Sequence, residues 1–255
     1  MIVDGKKIAE GVYARLPKKS ATLGILVGRS TPVIESFVRI KEKAAQRLGV
    51  VLKRHVLIEG ASTGDAEAAV WGLAQHSDGV IVQLPLPEHV DTDTVLSAIP
   101  PEKDVDGIAP GTHVLAPVIG AFEEILRAHA IGVRGKRVLV VGQGRLVGAP
   151  AATWFRKQLA HVTVITDSIN LPRNAKEADI IVLGTGAGNI LTPDMVREGV
   201  VIFDAGTSEQ EGKLTGDADP LCAEVASLFT PVPGGIGPIA VAMIFKNLYD
   251  LMEKR

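Results

Sequence analysis

Short apolar runs alternate with amphipathic segments along the whole chain, and this alternation predicts an α/β protein. Runs of Val, Ile and Leu are typical of parallel strands buried on both faces, whereas apolar residues every three or four positions indicate helices. An irregular stretch between Pro110 and Pro117 separates two such α/β regions. The predicted strands are 23–27, 50–58, 80–82, 136–142, 162–166, 180–183 and 200–203, and the predicted helices are 34–48, 65–75, 91–98, 119–129, 149–155 and 239–252.

The apolar run Val80–Val82 ends at Gln83, and the Leu-Pro-Leu-Pro sequence that follows forces the strand to stop there. Open α/β sheets bind ligands at the carboxyl ends of their strands. Gln83 is therefore a candidate binding residue. Taken alone, it is explained more simply as the polar residue at which the strand leaves the core.

Lys41 interrupts the apolar face of the predicted helix 34–48, which is otherwise formed by Ile34, Phe37, Val38, Ala44, Ala45 and Leu48. A lysine in such a position can extend its amine to water at the edge of the helix. It can also point into a cleft, where burial depresses its pKa and makes it useful for catalysis. Periodicity does not decide between these two interpretations.

The loop after the predicted helix 91–98 carries two carboxylates, Asp104 and Asp106, two positions apart. We expect only one of these two acids to face a given site. The alternative is that both carboxylates bind the backbone of their own turn, which is common for Asp in loops.

A strand, a glycine-rich turn and a helix follow one another around Gly142, the arrangement that binds dinucleotides. The glycines let backbone N–H groups approach a pyrophosphate at the helix N-terminus. Asp167, which follows the next strand 25 positions later, can accept hydrogen bonds from both ribose hydroxyls of NAD. A second glycine-rich turn begins at Thr185. The predicted nucleotide-binding residues are Gly142, Gln143, Gly144, Arg145, Val147, Gly148, Asp167, Ser168, Thr185, Gly186 and Ile236.

Composition narrows the functional classes. The chain has 255 residues, 46% of them hydrophobic, and a formal net charge of −2, which disfavours nucleic acid and anionic membrane surfaces as partners. No stretch approaches a membrane span, and the start of the chain lacks the apolar segment of a signal peptide. One cysteine and six histidines without ligand spacing predict no metal site. We expect a cytoplasmic protein without a metal.

Three strings in order carry a resemblance to a known family: VQLPLP from Val82, KDVDG from Lys103 and PVPGGIGP from Pro231. With them, the chain resembles the bifunctional methylenetetrahydrofolate dehydrogenase/cyclohydrolase family from Val3 to the last helix. The family's YxxxK signature is matched at Phe37 and Lys41. The resemblance therefore favours the catalytic interpretation of Lys41.

The resemblance implies two lobes with a folate cleft between them. Residues 1–115 and 239–255 would form the catalytic folate-binding domain, and residues 116–238 the Rossmann-type NAD(P)-binding domain. The implied reactions are oxidation of 5,10-methylenetetrahydrofolate to the 5,10-methenyl cation and hydrolysis to 10-formyltetrahydrofolate, in one-carbon metabolism and purine biosynthesis. A homodimer is implied. By resemblance the catalytic residues are Lys41, Gln83 and Asp106, and the substrate-binding residues are Phe37, Asp106, Pro233, Gly234 and Gly235.

The chain departs from the family pattern at several positions. Phe37 replaces the signature tyrosine, Ile34 a serine, and Val114-Leu115-Ala116-Pro117 and Gly237-Pro238-Ile239-Ala240 each lack a threonine hydroxyl. Gln143 stands where most bacterial relatives have an arginine for the 2′-phosphate of NADP. The family default is NADP, whereas Gln143 and Asp167 favour NAD.

Four hypotheses follow from these observations. The first is an enzyme with both activities, and the second is a dehydrogenase with weak or no cyclohydrolase activity. The third is a catalytically impaired protein that still binds folate or nucleotide. The fourth, a two-lobed dehydrogenase acting on a cyclic hydroxy acid, does not require VQLPLP together with KDVDG.

Overall fold

The computed structural model describes residues 1–210 and 213–254, apart from the side chains of residues 33, 209, 210 and 213. The chain divides into two compact units. Unit 1 contains Met1–Gly11 and Val118–Ala240, and unit 2 contains Val12–Pro117 and Val241–Arg255. The elements in chain order are α1 (Gly5–Arg15), β1 (Ala21–Val27), α2 (Pro32–Leu48), β2 (Val50–Val56), α3 (Thr63–Gln75), β3 (Gly79–Gln83), α4 (Thr92–Ser97), α5 (Pro117–Ala128), β4 (Arg137–Val141), α6 (Gly148–Lys157), β5 (His161–Ile165), α7 (Leu171–Glu177), β6 (Ile180–Leu183), β7 (Val201–Asp204), β8 (Ser208–Gln210), β9 (Lys213–Thr215), α8 (Cys222–Val225), β10 (Leu228–Phe229) and α9 (Ile236–Glu253).

Unit 2 is built on a parallel sheet with the strand order β2-β1-β3. The central strand β1 is buried on both faces, which explains its continuous apolar sequence. Its residues Leu23 and Ile25 pack in one hydrophobic cluster with Phe245 and Leu248 of α9. Leu26 belongs to a second cluster, together with residues of α3 and α4. The last helix therefore completes the core of unit 2.

Unit 1 contains a parallel sheet with the strand order β10-β7-β6-β4-β5. The chain passes from β4 to β5 on one side and then crosses to β6 on the other side of β4. Such a reversal opens a crevice outside the carboxyl ends of the two strands that flank it, and open α/β sheets bind ligands there. The ends of β4 and β6 are therefore the expected ligand site of unit 1.

Two helix starts illustrate how local sequence defines the elements. Thr31 caps α2, with its side chain accepting from the Ile34 N–H at 3.3 Å, and Pro32 occupies the first turn. The helix that the sequence predicted over 65–75, with Thr63 or Asp65 as its candidate cap, begins earlier, at Thr63. Ser62 is the cap, and it forms a reciprocal capping box with Asp65.

The first eleven residues belong to unit 1, although the predicted division assigned them to the other domain. The Val3 N–H donates to the Phe229 carbonyl at 2.9 Å, and the Gly5 N–H donates to the Gly234 carbonyl at 3.0 Å. These long-range bonds join the start of the chain to β10 and the loop after it. The other unit boundaries lie at 117/118 and 240/241, where the predicted division has 115/116 and 238/239. The function of each domain remains a prediction.

Candidate active site

Lys41 and Gln83 are joined directly in unit 2. The Lys41 Nζ donates to the Gln83 Oε1 at 2.8 Å, and the Gln83 Nε2 donates to the Leu84 carbonyl at 3.0 Å. The second bond orients the amide so that its oxygen faces the lysine. Both side chains are partly buried. Lys41 therefore binds an amide at the carboxyl end of β3.

Asp104 and Asp106 have different partners. The Asp104 carboxylate is buried and accepts from the Ile108 and Ala109 N–H groups, each at 2.8 Å. It fixes the loop. The neighbouring Lys103 donates to the Ala74 carbonyl and, at 3.1 Å, to the Ser77 carbonyl, at the end of α3. Asp106 is the acid whose negative charge interacts with the Lys41 amine.

The electrostatics of this group follow from burial. Burial lowers the pKa of the Lys41 amine below its usual value, and the nearby Asp106 carboxylate offsets part of that effect. Burial raises the pKa of the Asp106 carboxyl to about 6; Lys41 opposes this rise, and Asp104 adds to it. Lys41, Gln83 and Asp106 form what we call the lysine cluster. It combines an amine with a lowered pKa, an orienting amide and a carboxylate.

Phe37 lies one helical turn before Lys41 on α2 and is partly buried, so the ring is accessible from the same face of the helix. Ile34, at the position of the family's serine, is 4% exposed and belongs to the core. Ile34 therefore serves packing in this protein.

In unit 1, the glycine-rich turn between β4 and α6 has the geometry of a phosphate cradle. Gly142 has φ 93°, a conformation that favours glycine. A Cβ on Gly148 would lie 2.1 Å from the Gly142 carbonyl oxygen, so only glycine allows the helix to start this close to the turn. No side chain of the described residues caps the α6 N-terminus. The turn therefore leaves the helix start open to an anion.

The other predicted nucleotide residues lie around this turn or at the next strand end. Gln143, Gly144 and Arg145 are exposed in the turn itself. Asp167 and Ser168 are exposed after β5, and the Asp167 Oδ1 accepts from the Asn170 N–H at 3.0 Å and from its side-chain amide at 3.2 Å. These bonds lower the pKa of the Asp167 carboxyl. Asp167 is a fixed negative charge beside α7.

Thr185 follows β6 and faces the same turn. A Cβ on Gly142 would lie 3.2 Å from the Thr185 Cγ2 and 2.9 Å from the Gly184 carbonyl oxygen. Three groups of Thr185 and Gly186 donate to a buried carboxylate, Asp217. Asp217 was not among the predicted residues. Its only signal in the sequence is the Gly216-Asp217-Ala218 string, which contains the same three residue types as the Asp204-Ala205-Gly206 string at the end of β7.

The loop that begins at Pro231 lies at the carboxyl end of β10. The Gly235 N–H donates to the Pro231 carbonyl at 2.7 Å, and Gly235 is buried. Gly5, also missed by sequence reasoning, contacts this loop: a Cβ there would lie 1.8 Å from the Gly235 carbonyl oxygen. Pro233, Gly234 and Ile236 belong to the same loop and the start of α9, and Ile236 is 4% exposed. The loop is therefore fixed by its own backbone bond and by its close contact with Gly5.

The described residues contain no group of three or more His, Cys, Asp or Glu side chains that could hold a metal ion. In the same part of the chain, no helix has the length and apolar character needed to cross a bilayer.

Two family models match the chain. The tetrahydrofolate dehydrogenase/cyclohydrolase catalytic domain matches residues 3–106, and the NAD(P)-binding domain of the same family matches residues 118–255. Among relatives, the bifunctional protein FolD of Streptococcus sanguinis is 36% identical over 277 residues, covering 99% of this chain and 98% of the relative.

Similar solved structures come from the same family as the matching family models. The FolD dehydrogenase/cyclohydrolase of Campylobacter jejuni has a TM-score of 0.89 at 31% identity, covering 100% of this chain and 99% of that one. The Trypanosoma brucei enzyme, complexed with NADP and an inhibitor, has a TM-score of 0.89 at 27% identity, covering 100% and 97%. With both of its domains matched and full-length relatives above 30% identity, the chain belongs to the tetrahydrofolate dehydrogenase/cyclohydrolase family.

Proposed function

We propose that this protein is a bifunctional enzyme that oxidises 5,10-methylenetetrahydrofolate to the 5,10-methenyl cation with NAD(P)+ and hydrolyses that cation to 10-formyltetrahydrofolate. The observation that carries the proposal is the 2.8 Å bond between Lys41 and Gln83, with Asp106 acting on the same amine. It stands in a chain matched by both domain models of the family.

In the hydrolytic step, water adds to the bridging carbon of the cation, and a proton must leave that water before the ring opens. Lys41 is the group that we assign to these proton transfers, because an amine whose pKa burial has lowered is more readily deprotonated near neutral pH. The Gln83 Oε1 accepts a hydrogen bond from the Lys41 amine and so fixes the direction in which that amine points. The two residues thus act as a proton-transfer group and the amide that orients it.

We assign the recognition of the folate ring to Asp106 and Phe37. The ionised Asp106 carboxylate can accept two charge-assisted hydrogen bonds from the donor edge of an aminopyrimidine. The Phe37 ring, on the face of α2 that carries Lys41, offers stacking area without a phenolic hydroxyl. We also retain Pro233, Gly234 and Gly235 as proposed substrate-binding residues, on the basis of the family motif that they match.

For the oxidation, the nicotinamide supplies a hydride acceptor when it is bound. The glycine-rich turn fits such a dinucleotide, since Gly142 has a positive φ and Gly148 leaves no room for a Cβ. The N–H groups at the start of α6 would hold the pyrophosphate. The remaining residues that we propose for nucleotide binding are Gln143, Gly144, Arg145, Val147, Asp167, Ser168, Thr185, Gly186 and Ile236.

Within this proposal the preferred nucleotide is NAD, although NADP is the family default. The Asp167 carboxylate is exposed and its pKa is lowered, so it is ionised at neutral pH. A fixed negative charge favours ribose hydroxyls and repels a 2′-phosphate. Gln143 cannot form the ion pair that an arginine makes with that phosphate. Arg145 and Ser168 are the groups that would oppose this preference.

We further propose a cytoplasmic homodimer whose product supports purine biosynthesis. The dimer is supported by the family resemblance and by strand β2, an edge strand of its sheet that exposes Val51 and Val56. A molar mass of two chains in light scattering is the expected result. The single cysteine, Cys222, suits a reducing compartment.

One assay tests the main proposal. Methylenetetrahydrofolate and NAD are mixed with the protein, and reduced nicotinamide and methenyltetrahydrofolate are followed together. A bifunctional enzyme reduces the nucleotide without accumulating the methenyl form. Accumulation of that form indicates a dehydrogenase without hydrolysis, and nucleotide binding without reduction indicates an impaired binding protein. Either of these two results contradicts the proposal.

A further inference from the structure

Two buried aspartates lie at the carboxyl ends of the strands of unit 1 outside the predicted site. Asp204 ends β7 and is 1% exposed, and Asp217 follows β9 and is 0% exposed. Neither was predicted to be functional. Burial raises the pKa of the Asp204 carboxyl to about 6, and the charge of Asp217 adds to that rise. A buried pair of like charges lowers stability, so its presence calls for a functional explanation.

Asp204 binds the backbone of two loops. Its Oδ1 accepts from the Gly206 N–H at 3.0 Å and from the Asp217 N–H at 3.1 Å, and its Oδ2 accepts from the Ala218 N–H at 2.9 Å. Both oxygens are therefore used as acceptors. The Asp204 N–H in turn donates to the Thr230 Oγ1 at 2.7 Å, directly before the loop that begins at Pro231.

Asp217 binds the turn after β6. Its Oδ2 accepts from the Thr185 N–H at 2.7 Å, the Thr185 hydroxyl at 2.8 Å and the Gly186 N–H at 3.3 Å. Its Oδ1 has no hydrogen-bond partner within the described part of the chain, although it is buried. One oxygen thus accepts three bonds from a single turn, and the other has no partner among the residues that the structure describes.

The two carboxylates are interlocked through glycines. A Cβ on Gly206 would lie 2.0 Å from the Asp217 Cγ, and a Cβ on Gly216 would lie 2.1 Å from the Asp204 Oδ2. Each carboxylate therefore occupies the space beside a glycine of the other segment. No side chain can replace either glycine without moving a carboxylate.

This arrangement fixes one side chain against the glycine-rich turn. The Thr185 hydroxyl donates to Asp217 and accepts from the Ala187 N–H at 3.1 Å, so its rotamer is determined. The Thr185 methyl group is then directed at Gly142, since a Cβ on that glycine would lie 3.2 Å from it. Asp217 thereby acts on the first glycine of the turn through Thr185.

We propose that Asp217 is a positioning residue for nucleotide binding. Asp204 holds it in place by accepting from its backbone N–H. Asp217 holds the Thr185–Gly186 turn against Gly142 and so shapes the side of the cradle that Thr185 forms. The inference rests on the proposed function, since it concerns the segments that we assign to the nucleotide. It adds two residues that do not themselves touch the nucleotide.

The test uses Asp217→Asn in the full-length protein, with NADH and NADPH titrated directly. The asparagine oxygen can replace Oδ2, and its amide group would occupy the position of Oδ1, so the shape is kept while the charge is lost. Neutral hydrogen bonds are roughly half as strong as charge-assisted ones, so we expect nucleotide affinity to fall by about threefold to tenfold. Asp219→Asn, which removes the same charge from a partly exposed residue two positions away, is the matched control.

A merely structural role predicts a different pattern. Hydrolysis of supplied methenyltetrahydrofolate consumes no nucleotide, so in Asp217→Asn its rate should change by less than about twofold, while KM for the nucleotide rises with its Kd. Equal losses in both activities, or a nucleotide Kd within about twofold of that of Asp219→Asn, would overturn the proposal.

A second variant addresses the path from Asp217 to the turn. Thr185→Val keeps a methyl group but removes the hydroxyl bond to Asp217, and it should weaken nucleotide binding by about as much as Asp217→Asn. Unchanged binding in Thr185→Val contradicts the proposed path. Because nucleotide titration needs no turnover, a wild-type protein without either activity would disprove the proposed function but would leave this comparison valid.

Discussion

The Lys41 Nζ lies 2.8 Å from the Gln83 Oε1 and donates a hydrogen bond to it, although the two residues are 42 positions apart in the chain. Lys41 reaches this acceptor from the third turn of α2, and Gln83 presents it from the end of β3. Because the Gln83 amide is itself held by the Leu84 carbonyl, the amine has a defined direction. This pair is the basis of the first prediction.

Lys41→Met removes the amine and keeps an apolar stem on the apolar face of α2. Loss of a positioned proton-transfer group should lower the rate of methenyltetrahydrofolate hydrolysis by about 10²-fold or more. Nucleotide affinity should not change, because the glycine-rich turn belongs to unit 1. Lys43→Met, on an exposed position of the same helix, is the control. Hydrolysis at the rate of this control would show that Lys41 takes no part in catalysis.

Phe37→Tyr restores the phenolic hydroxyl of the family signature. A new hydrogen bond is worth about 1 kcal/mol, so we expect hydrolysis to accelerate by about fivefold, with the dehydrogenase reaction less affected. Stopped-flow decay of methenyltetrahydrofolate absorbance measures the effect. Phe37→Leu, which keeps an apolar side chain without ring or hydroxyl, should raise KM for folate and give no acceleration. An unchanged hydrolysis rate in Phe37→Tyr would contradict the expected contribution of the hydroxyl to this step.

The pH dependence of folate turnover should report Asp106. Its pKa is raised to about 6, and the carboxyl loses its charge when the pH falls below that value. A neutral carboxyl accepts weaker bonds from the pterin and no longer supports the charge of Lys41, so kcat/KM for folate should decline on the acidic side of about pH 6.

In Asp106→Asn this acidic decline should disappear and KM for folate should be higher at every pH. Glu102→Gln, which changes an exposed acid in the same loop, should keep the wild-type profile. The same acidic decline in Asp106→Asn as in the wild type would assign the titration to another group.

Asp167→Ser tests the choice of nucleotide. The wild-type protein should have the higher kcat/KM with NAD, and the substitution should shift the ratio towards NADP, because the charge that repels the 2′-phosphate is removed. Asp194→Ser removes a charge from another exposed aspartate of unit 1 and should leave the ratio unchanged. A wild-type preference for NADP greater than about tenfold, or ~1.4 kcal/mol, would contradict the proposal that Asp167 selects NAD.

Gly148→Ala tests the phosphate cradle. Its Cβ would lie 2.1 Å from the Gly142 carbonyl oxygen, so the turn or the start of α6 must move. We expect nucleotide affinity to fall by about tenfold or more, since the N–H groups at that helix start lose their positions. Gly132→Ala is the control, because a Cβ there meets no described atom within 4 Å. Calorimetric titration with NADH compares the two variants.

Local sequence alone predicted most of the strands that position the candidate site. β1, β3, β4 and β6 are continuous apolar runs because both faces of these parallel strands are buried, and this pattern is visible without any tertiary information. The glycine-rich turn was equally readable, since Gly142 and Gly148 stand where backbone conformation and close contact exclude other residues. Short elements such as α7, α8 and β10 have too few residues for a period to be recognised.

Only the tertiary structure decided the alternatives that involve distant partners. Periodicity placed Lys41 on an apolar face but could not say whether its amine reached water or Gln83, because the acceptor comes from another strand. The sequence placed Asp104 and Asp106 in one loop without showing which of them binds it. The backbone N–H groups of Ile108 and Ala109 determine that this acid is Asp104. Sequence reasoning missed Asp217, because its three bonds go to a turn some thirty residues earlier, at Thr185 and Gly186. A sequence pattern records the burial of each residue, whereas hydrogen bonds between distant segments exist only once the chain has folded.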